Sequence, residues 1–283
     1  MVAQHEVCLV TDSTADVPPS LASELGIAVV PLSFTIDGET FVDGSIPMSE
    51  FYRRMEAATS LPTTSQPSVG AWVDAFGSAL DRHAKVVCVT VSSKLSGTHE
   101  SAAAAVRQVG DRVHLFDSLS LSWGEGYQVV RAARAALAGA GVEEVKRTLE
   151  QARGAMNMVV GVNSLENLAK GGRVSKTVAL LGGILNVKVL LSIGADGTLA
   201  PRHRTRGTTA ALQATIDWLA KRIDPTRPVD VGVLHAELPD AAAWLEERVR
   251  ERFVVRELVT IETGPVIGTH AGTAWGLAAA QLD

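Results

Sequence analysis

Residues 85–109 read KVVCVTVSSKLSGTHESAAAAVRQV. The stretch begins with a β-branched apolar run typical of a buried strand and ends with an alanine-rich run typical of a helix. The turn between them, residues 92–98, carries four hydroxyl groups and a glycine. This order predicts a βα unit whose turn offers hydrogen-bond donors to an anion. The alternative interpretation is that Ser96 or Thr98 only caps the helix.

The same pattern recurs on both sides of this stretch. An apolar run at residues 7–10 leads into Asp12 and Ser13, and another at 113–116 leads into Asp117 and Ser118. Each is followed by a segment with helical signals, so the pattern predicts an open parallel sheet with a polar carboxyl edge. For Asp12 and Asp117, helix capping or turn formation is favoured over catalysis.

Two further segments carry candidate site residues. TTSQPS, residues 63–68, is a second hydroxyl cluster, and it also precedes a predicted helix, which starts at Val69. The glycine-rich segment 262–272 contains His270, the one side chain there that could move a proton near neutral pH. A lone histidine is more often structural, so both interpretations of His270 stay open at this point.

Regular alternation of strands and helices stops near residue 157. The sequence therefore predicts two domains, residues 1–156 with an α/β fold and a parallel sheet, and residues 157–283 with an α+β fold. A chain of 283 residues with 46% hydrophobic content can bury cores of that size.

Composition excludes several classes of function. The formal net charge of −5 gives no basic surplus for nucleic acid or for an anionic membrane surface as the main partner. The sequence contains neither GxxxxGK[ST] nor GxGxxG, so no nucleotide site is predicted, and no cofactor or metal is expected. Cys8 and Cys88 lie in apolar runs and are expected to be buried free thiols. No signal peptide or apolar run of about 18 residues is recognised, and a cytoplasmic location is expected.

Five short motifs follow one another along almost the whole chain, and together they resemble the DegV family. The family consists of fatty-acid-binding proteins that include the FakB subunits of bacterial fatty acid kinases. The motifs are TDST at 11–14, TTSQPS at 63–68, SSKLSGT at 92–98, AKGGRVS at 169–175 and GPVIGTHAG at 264–272.

The resemblance implies a two-domain α/β fold that holds one long-chain fatty acid in a tunnel between the domains. It implies a lipid-binding protein rather than an enzyme, without a cofactor, whose partner is the catalytic subunit of a fatty acid kinase. Thr64 and Ser96 match the residues that bind the carboxylate, and Arg173 matches the arginine that docks the kinase. The expected neighbours of the head group are Ser65, Ser93, Gly97, Thr98 and His270.

The chemistry of the two hydroxyl clusters supports this function. Burying the roughly 14 methylenes of a sixteen-carbon acid is worth about 11 kcal/mol gross, but an unpaired buried carboxylate would cancel much of it. Hydroxyl groups and helix N-terminal amides could hold the carboxylate without a cation, which would leave it nucleophilic. We therefore expect the chain to present an acyl carboxylate to a separate kinase, with transient membrane contact during lipid transfer.

Two alternatives remain at the level of sequence. A serine hydrolase or acyltransferase would use Ser96 as nucleophile, His270 as base and Asp12 or Asp117 to orient the base. The turn lacks the GxSxG elbow that would favour such an enzyme. The other alternative is a structural or regulatory module whose cleft stays empty.

Overall fold

The computed structural model describes residues 6–174 and 187–282. Ser175, the last residue of the fourth motif, lies outside these ranges. The described residues form two compact units. The first contains the residues up to Ser33 together with Ser65–Gly154, and the second contains Phe34–Thr64 together with the residues from Ala155 onward.

Thirteen strands and ten α-helices occur in the described residues. The strands are β1 (Val7–Asp12), β2 (Ala28–Val30), β3 (Ser33–Ile36), β4 (Glu39–Val42), β5 (Thr63–Ser65), β6 (Lys85–Thr90), β7 (Val113–Asp117), β8 (Met156–Val162), β9 (Val187–Ile193), β10 (Leu199–Arg206), β11 (Val229–Ala236), β12 (Val255–Glu262) and β13 (Ala274–Ala280). The helices are α1 (Pro19–Glu24), α2 (Met48–Ala57), α3 (Val69–Leu80), α4 (Thr98–Val109), α5 (Trp123–Leu137), α6 (Val142–Ala155), α7 (Glu166–Lys170), α8 (Thr208–Ala220), α9 (Pro239–Arg252) and α10 (Pro265–Ala271).

The first unit is built on a four-stranded parallel sheet with strand order β2–β1–β6–β7. The predicted strand, turn and helix at residues 85–109 are confirmed as β6, the Ser92–Thr98 turn and α4. Helices α3 and α4 pack on one face of the sheet, where Trp72 and Phe76 of α3 are fully buried. Cys8 and Cys88 are both buried, on β1 and β6. Because all four strands run in parallel, their carboxyl ends, with the polar residues that follow them, meet at one edge.

The second unit contains a six-stranded mixed sheet with strand order β10–β9–β8–β13–β11–β12. Strands β11 and β12 are parallel, and the other neighbouring pairs are antiparallel. Helices α8 and α9 cover one face, around the buried Trp275 and Leu245. A second cluster includes Val189 and Leu191 of β9 together with Phe34 and Phe51. This second cluster also contains Tyr52 and Leu168.

The second unit includes residues 34–64, which the sequence prediction had kept with the first 156 residues. This segment contains most of β3 together with β4 and α2. Strands β3, β4 and β5 form a small sheet with strand order β4–β3–β5. Phe34 stacks on Phe41 and packs edge-on against Phe51, so the segment is held by its own aromatic cluster.

Helix α2 begins at Met48, after Pro47, and Ser49 lies inside it. Helix α1 begins at Pro19, after Pro18, without a side-chain cap. Proline at the first helical position has a φ that already suits the helix. Within residues 6–174 and 187–282, no helix is long and apolar enough to span a membrane.

Candidate functional site

Thr64 and His270 form a hydrogen-bonded pair in the second unit. The Thr64 Oγ1 and His270 Nε2 atoms are 2.8 Å apart, although 206 positions separate the residues in the chain. Thr64 lies at the centre of the short strand β5, and His270 lies in the last turn of α10. Both side chains are partly buried. The second and fifth motifs therefore place a hydroxyl and an imidazole in direct contact.

The position of α10 is set by close packing against α2. A Cβ atom on Gly268 would lie 2.9 Å from both Phe51 Cε1 and the hydroxyl of Tyr52, so only glycine allows this approach. Tyr52 donates a hydrogen bond to the carbonyl of Gly272, 2.9 Å away, just after the helix ends. These contacts fix His270 from the α2 side.

Gly171 packs against the opposite nitrogen of the same imidazole. A Cβ atom at this position would lie 2.6 Å from His270 Nδ1, a distance that real Cβ contacts do not reach. The Gly171 amide donates to the carbonyl of Asn167, which holds the turn after α7 in place. The first glycine of the KGGR turn thus provides the space in which the His270 ring sits.

The imidazole is neutral at physiological pH. Burial, together with a smaller effect of the positive charge on Arg173, lowers the pKa of His270 to about 4. A neutral imidazole carries one proton, so one ring nitrogen donates and the other accepts. If Nε2 carries that proton, the Nε2–H group donates a hydrogen bond to the Thr64 oxygen. The Thr64 hydroxyl proton then remains available for a hydrogen bond to a ligand.

Arg173 is the cation whose charge acts on this pair. Its side chain is half-buried, burial lowers the pKa of its guanidinium, and Nη1 donates to the Gly171 carbonyl at 2.5 Å. The sequence hypothesis assigned Arg173 to partner docking and kept cations away from the head group. The structure places its charge close enough to act on His270.

The Ser92–Thr98 turn lies in the first unit, at the carboxyl end of β6. The Ser96 and Thr98 hydroxyl oxygens are 2.9 Å apart, and Ser96 Oγ also accepts the Thr98 amide at 3.3 Å. Ser96 is half-buried, Thr98 is fully buried, and Ser93 is exposed. The N-cap of α4 is Gly97, and no side chain caps the helix, so the capping alternative is not confirmed. Ser96 makes a local contact with Thr98, and part of its surface stays accessible.

Within the first unit, Gln66 of the TTSQPS motif contacts Gly97 of the Ser92–Thr98 turn. A Cβ atom on Gly97 would lie 2.1 Å from Oε1 of Gln66, so the Gln66 side chain rests directly on this glycine. Gln66 is two residues after Thr64, and Gly97 follows Ser96. Ser65, between Thr64 and Gln66, is exposed.

Asp12 and Asp117 have structural roles in the first unit. Asp12 accepts the Thr14 amide at 3.0 Å through one oxygen and the Val91 amide at 2.8 Å through the other. Asp117 accepts the amides of Ser93, at 3.2 Å, and of Leu119, at 3.0 Å. Both carboxylates hold the loops at the carboxyl edge of the sheet, as the turn interpretation predicted.

These contacts give the hydrolase alternative no support. Such an enzyme needs a carboxylate that orients its histidine, and Asp12 and Asp117 are engaged by backbone amides instead. A histidine whose pKa is about 4 is also a weak general base near neutral pH. In the part of the chain that is described, no group of three or more potential metal ligands occurs.

Over residues 6–282 the sequence matches the DegV family, which is described as a family of uncharacterised proteins. The chain belongs to the DegV family. The predicted family resemblance and the predicted α/β fold, with a parallel sheet in one part and a mixed sheet in the other, are confirmed.

Relatives of this DegV protein match over nearly their whole length. A DegV domain-containing protein of Caldanaerobacter subterraneus is 34% identical over 270 residues, which cover 95% of this chain and 96% of the relative. Among solved structures, a DegV family protein of Thermus thermophilus described by its fatty acid binding is 32% identical, with a TM-score of 0.92 over 98% of this chain and 100% of that one. A DegV lipid-binding protein of Thermotoga maritima is 30% identical, with a TM-score of 0.90 over 98% and 99%.

A third solved structure, DegV of Bacillus subtilis, is described as a fatty acid binding protein. It is 28% identical to this DegV protein, with a TM-score of 0.87 over 98% of this chain and 100% of that one.

The sequence did not point to Tyr52 or to Gly171, which fix the imidazole. Gly171 stood in a recognised motif, but its contact with His270 joins segments that are far apart in the chain, which local pattern does not reveal.

Proposed function

We propose that this DegV protein binds one long-chain fatty acid and that the Thr64 hydroxyl donates a hydrogen bond to its carboxylate. The observation that carries the proposal is the 2.8 Å contact between Thr64 Oγ1 and His270 Nε2. A neutral imidazole that donates to the hydroxyl oxygen polarises the hydroxyl and directs its proton toward the ligand. The fatty acid binding of the DegV relatives from Thermus thermophilus and Bacillus subtilis supports the same function.

Ser96 is proposed as the second donor to the carboxylate. Its partial exposure supports this role, as does its match to the carboxylate-binding serine that the family resemblance implies. The two hydroxyls would offset the desolvation of the carboxylate, since hydrogen bonds to charged groups contribute about 1.5–3 kcal/mol each. The tail would contribute the larger, nonspecific part of the affinity. A binding tunnel between the two domains remains a prediction from the family resemblance.

The test compares lipids that differ only at the head. The delipidated protein should bind palmitate at one molecule per chain, whereas methyl palmitate, which has the same tail and no charge, should bind at least tenfold more weakly. Native mass spectrometry of the protein as purified should show the mass of one added fatty acid. Absence of that mass together with no saturable palmitate binding would contradict the proposal and favour a module with an empty cleft.

We further propose that the bound acid is presented to a separate kinase. In that reaction a carboxylate oxygen attacks the γ-phosphorus of ATP, the bond to ADP breaks, and an acyl phosphate forms. The kinase supplies the nucleotide and its Mg²⁺. A carboxylate held mainly by hydroxyl donors keeps more negative charge on its oxygen than one in a bidentate arginine pair, and it is the better nucleophile. Transient contact with a membrane, as the source of the fatty acid, belongs to the same proposal.

Arg173→Ala should separate lipid binding from presentation. We expect at least a fivefold loss in the rate of acyl phosphate formation with the fatty acid kinase catalytic subunit of the same organism, trapped as the hydroxamate. Palmitate affinity should change much less. Lys170→Ala is the matched control, because it removes an exposed cation of the same turn, which forms an ion pair with the exposed Glu166. Equal rates for the Arg173 and Lys170 variants would argue against a docking role of Arg173.

A further inference from the structure

Helix α5 carries two polar side chains that are fully buried in the first unit. Glu125 and Gln128 are both 0% exposed. They are three positions apart, so they lie on one face of the helix, one turn from each other. The helix packs on β1 and β6. Neither residue belongs to the proposed lipid site.

Each of the two side chains has one oxygen without a hydrogen-bond donor. Glu125 Oε1 accepts from the Thr11 hydroxyl at 3.1 Å, but Oε2 has no partner among the described residues. Gln128 Nε2 donates to the carbonyls of Ser118, at 3.1 Å, and Gly124, at 2.8 Å, which fixes the orientation of the amide. Within the same described ranges, Gln128 Oε1 is likewise unpaired. Two buried acceptors cannot bond each other, and a buried acceptor without a donor is destabilising.

The charged groups with the largest effect on Glu125 are acidic. Burial raises the pKa of the Glu125 carboxyl well above its usual value, and the carboxylates of Asp12, Asp16 and Asp117 raise it further, against a smaller lowering by the Thr11 hydroxyl. Asp12 is itself fully buried on β1. On β6, the neighbouring titratable group is the buried thiol of Cys88, whose own pKa is raised. The main contributions to the pKa of Glu125 thus come from burial, acidic groups and one hydroxyl.

We propose that Glu125 is a neutral carboxylic acid in the folded protein and that its Oε2–H group donates to the unpaired Gln128 carbonyl. One proton then satisfies both buried oxygens and avoids a second negative charge beside Asp12. The same proton also stabilises the start of the Ser92–Thr98 turn. Asp12 accepts a hydrogen bond from the amide of Val91, the residue before the turn, at 2.8 Å, and a neutral Glu125 does not repel the Asp12 carboxylate. Ionisation of Glu125 would place two like charges at the base of the turn.

Protonation of Glu125 in the folded state makes the stability of the first unit fall as pH rises. As pH rises, the unfolded chain releases the Glu125 proton at the ordinary pKa of a glutamate, whereas the folded protein keeps it to a higher pH. The contribution of Glu125 is therefore complete below that value and decreases as pH rises toward the folded-state pKa. Within that window, the unfolding equilibrium constant should rise about tenfold per pH unit relative to a chain without the group.

Glu125→Gln tests this inference, because an amide keeps both hydrogen bonds and does not ionise. Urea unfolding of both proteins from pH 5 to pH 8 should show wild type losing stability relative to the variant, by at least about tenfold in the unfolding constant. Glu150→Gln is the control, since Glu150 is exposed on α6 of the same unit, and its pH profile should follow wild type.

A second readout uses the wild-type protein alone. The ¹³C signal of the Glu125 carboxyl should remain at the protonated position through pH 7, while exposed glutamates have the ionised position. The protection factor of the Val91 amide, which corrects for base-catalysed exchange, should fall at high pH in wild type and not in Glu125→Gln. An ionised carbon shift at pH 7, or parallel stability profiles of wild type and Glu125→Gln, would overturn the inference.

Discussion

Replacing Thr64 with valine should weaken palmitate binding by about 10- to 100-fold. Valine keeps the shape of the side chain and removes only the hydroxyl, so the loss measures one hydrogen bond to a charged group, about 1.5–3 kcal/mol. The variant also leaves His270 Nε2 without its 2.8 Å partner. Removal of this one donor should therefore lower the affinity more than shortening the fatty acid tail by one or two methylenes does.

Isothermal titration of delipidated protein with palmitate provides the measurement. Thr64→Ser should recover most of the affinity, because serine restores a hydroxyl at the same position, whereas Thr63→Val, at the exposed neighbouring residue, should bind like wild type. Methyl palmitate should bind wild type and Thr64→Val about equally, since it carries no charge to lose. If Thr64→Val bound palmitate as tightly as wild type, the assigned role of Thr64 would be wrong.

Ser96→Ala tests the other proposed donor. It should weaken palmitate binding at least tenfold, and the loss in the Thr64→Val/Ser96→Ala double variant should differ from the sum of the single losses. Two groups that share one carboxylate are coupled, whereas distant and independent groups give additive losses. Strict additivity would indicate that Ser96 has only its local contact with Thr98, 2.9 Å away.

The sequence predicted the elements that depend on local pattern. The βα units of the first unit were read from β-branched runs followed by polar turns and helix-forming residues, and the order of β6, turn and α4 needed no distant contact. Asp37 and Gly38 are a residue pair typical of tight hairpin turns, and both have the positive φ that such a turn requires. Asp12 and Asp117 were correctly weighed as turn residues.

The elements that were missed depend on contacts between distant segments. Strand β13, AWGLAAA, was not predicted because alanine and glycine have low β propensity. It is a strand because it pairs on both sides, with β8 and β11, in the middle of a sheet. The seven-residue helix α10 was read as a glycine loop for a similar reason. Glu125 was unremarkable in an alanine-rich helix, since a glutamate there is usually exposed, and only packing shows that it is buried.

The centre of the second sheet also carries the largest expected effect on stability, at Gly161. This glycine lies opposite Trp275 in the β8–β13 pair, and the indole covers it so closely that a Cβ atom would lie 2.2 Å from Trp275 Cε2. Trp275 is 1% exposed and donates to the Thr215 hydroxyl at 3.0 Å. A shift of the buried ring large enough to admit a methyl group would therefore disturb that hydrogen bond.

Gly161→Ala should lower the free energy of unfolding by about 3 kcal/mol or more, because overpacking adds to the loss of a buried hydrogen bond. Urea denaturation followed by circular dichroism measures the change. Gly77→Ala is the control, because Gly77 is exposed inside α3 with no atom within 4 Å of its Cβ position, and it should gain up to about 1 kcal/mol.

A second substitution identifies the cause of that loss. Trp275→Phe removes the indole atoms that the added methyl group would strike, so the Gly161→Ala/Trp275→Phe double variant should be more stable than the sum of the two single losses predicts. Additive losses would mean that the damage lies in the β8 backbone rather than at the ring. Because strand propensity favours alanine over glycine, the sign of the Gly161→Ala effect depends on the Trp275 contact alone.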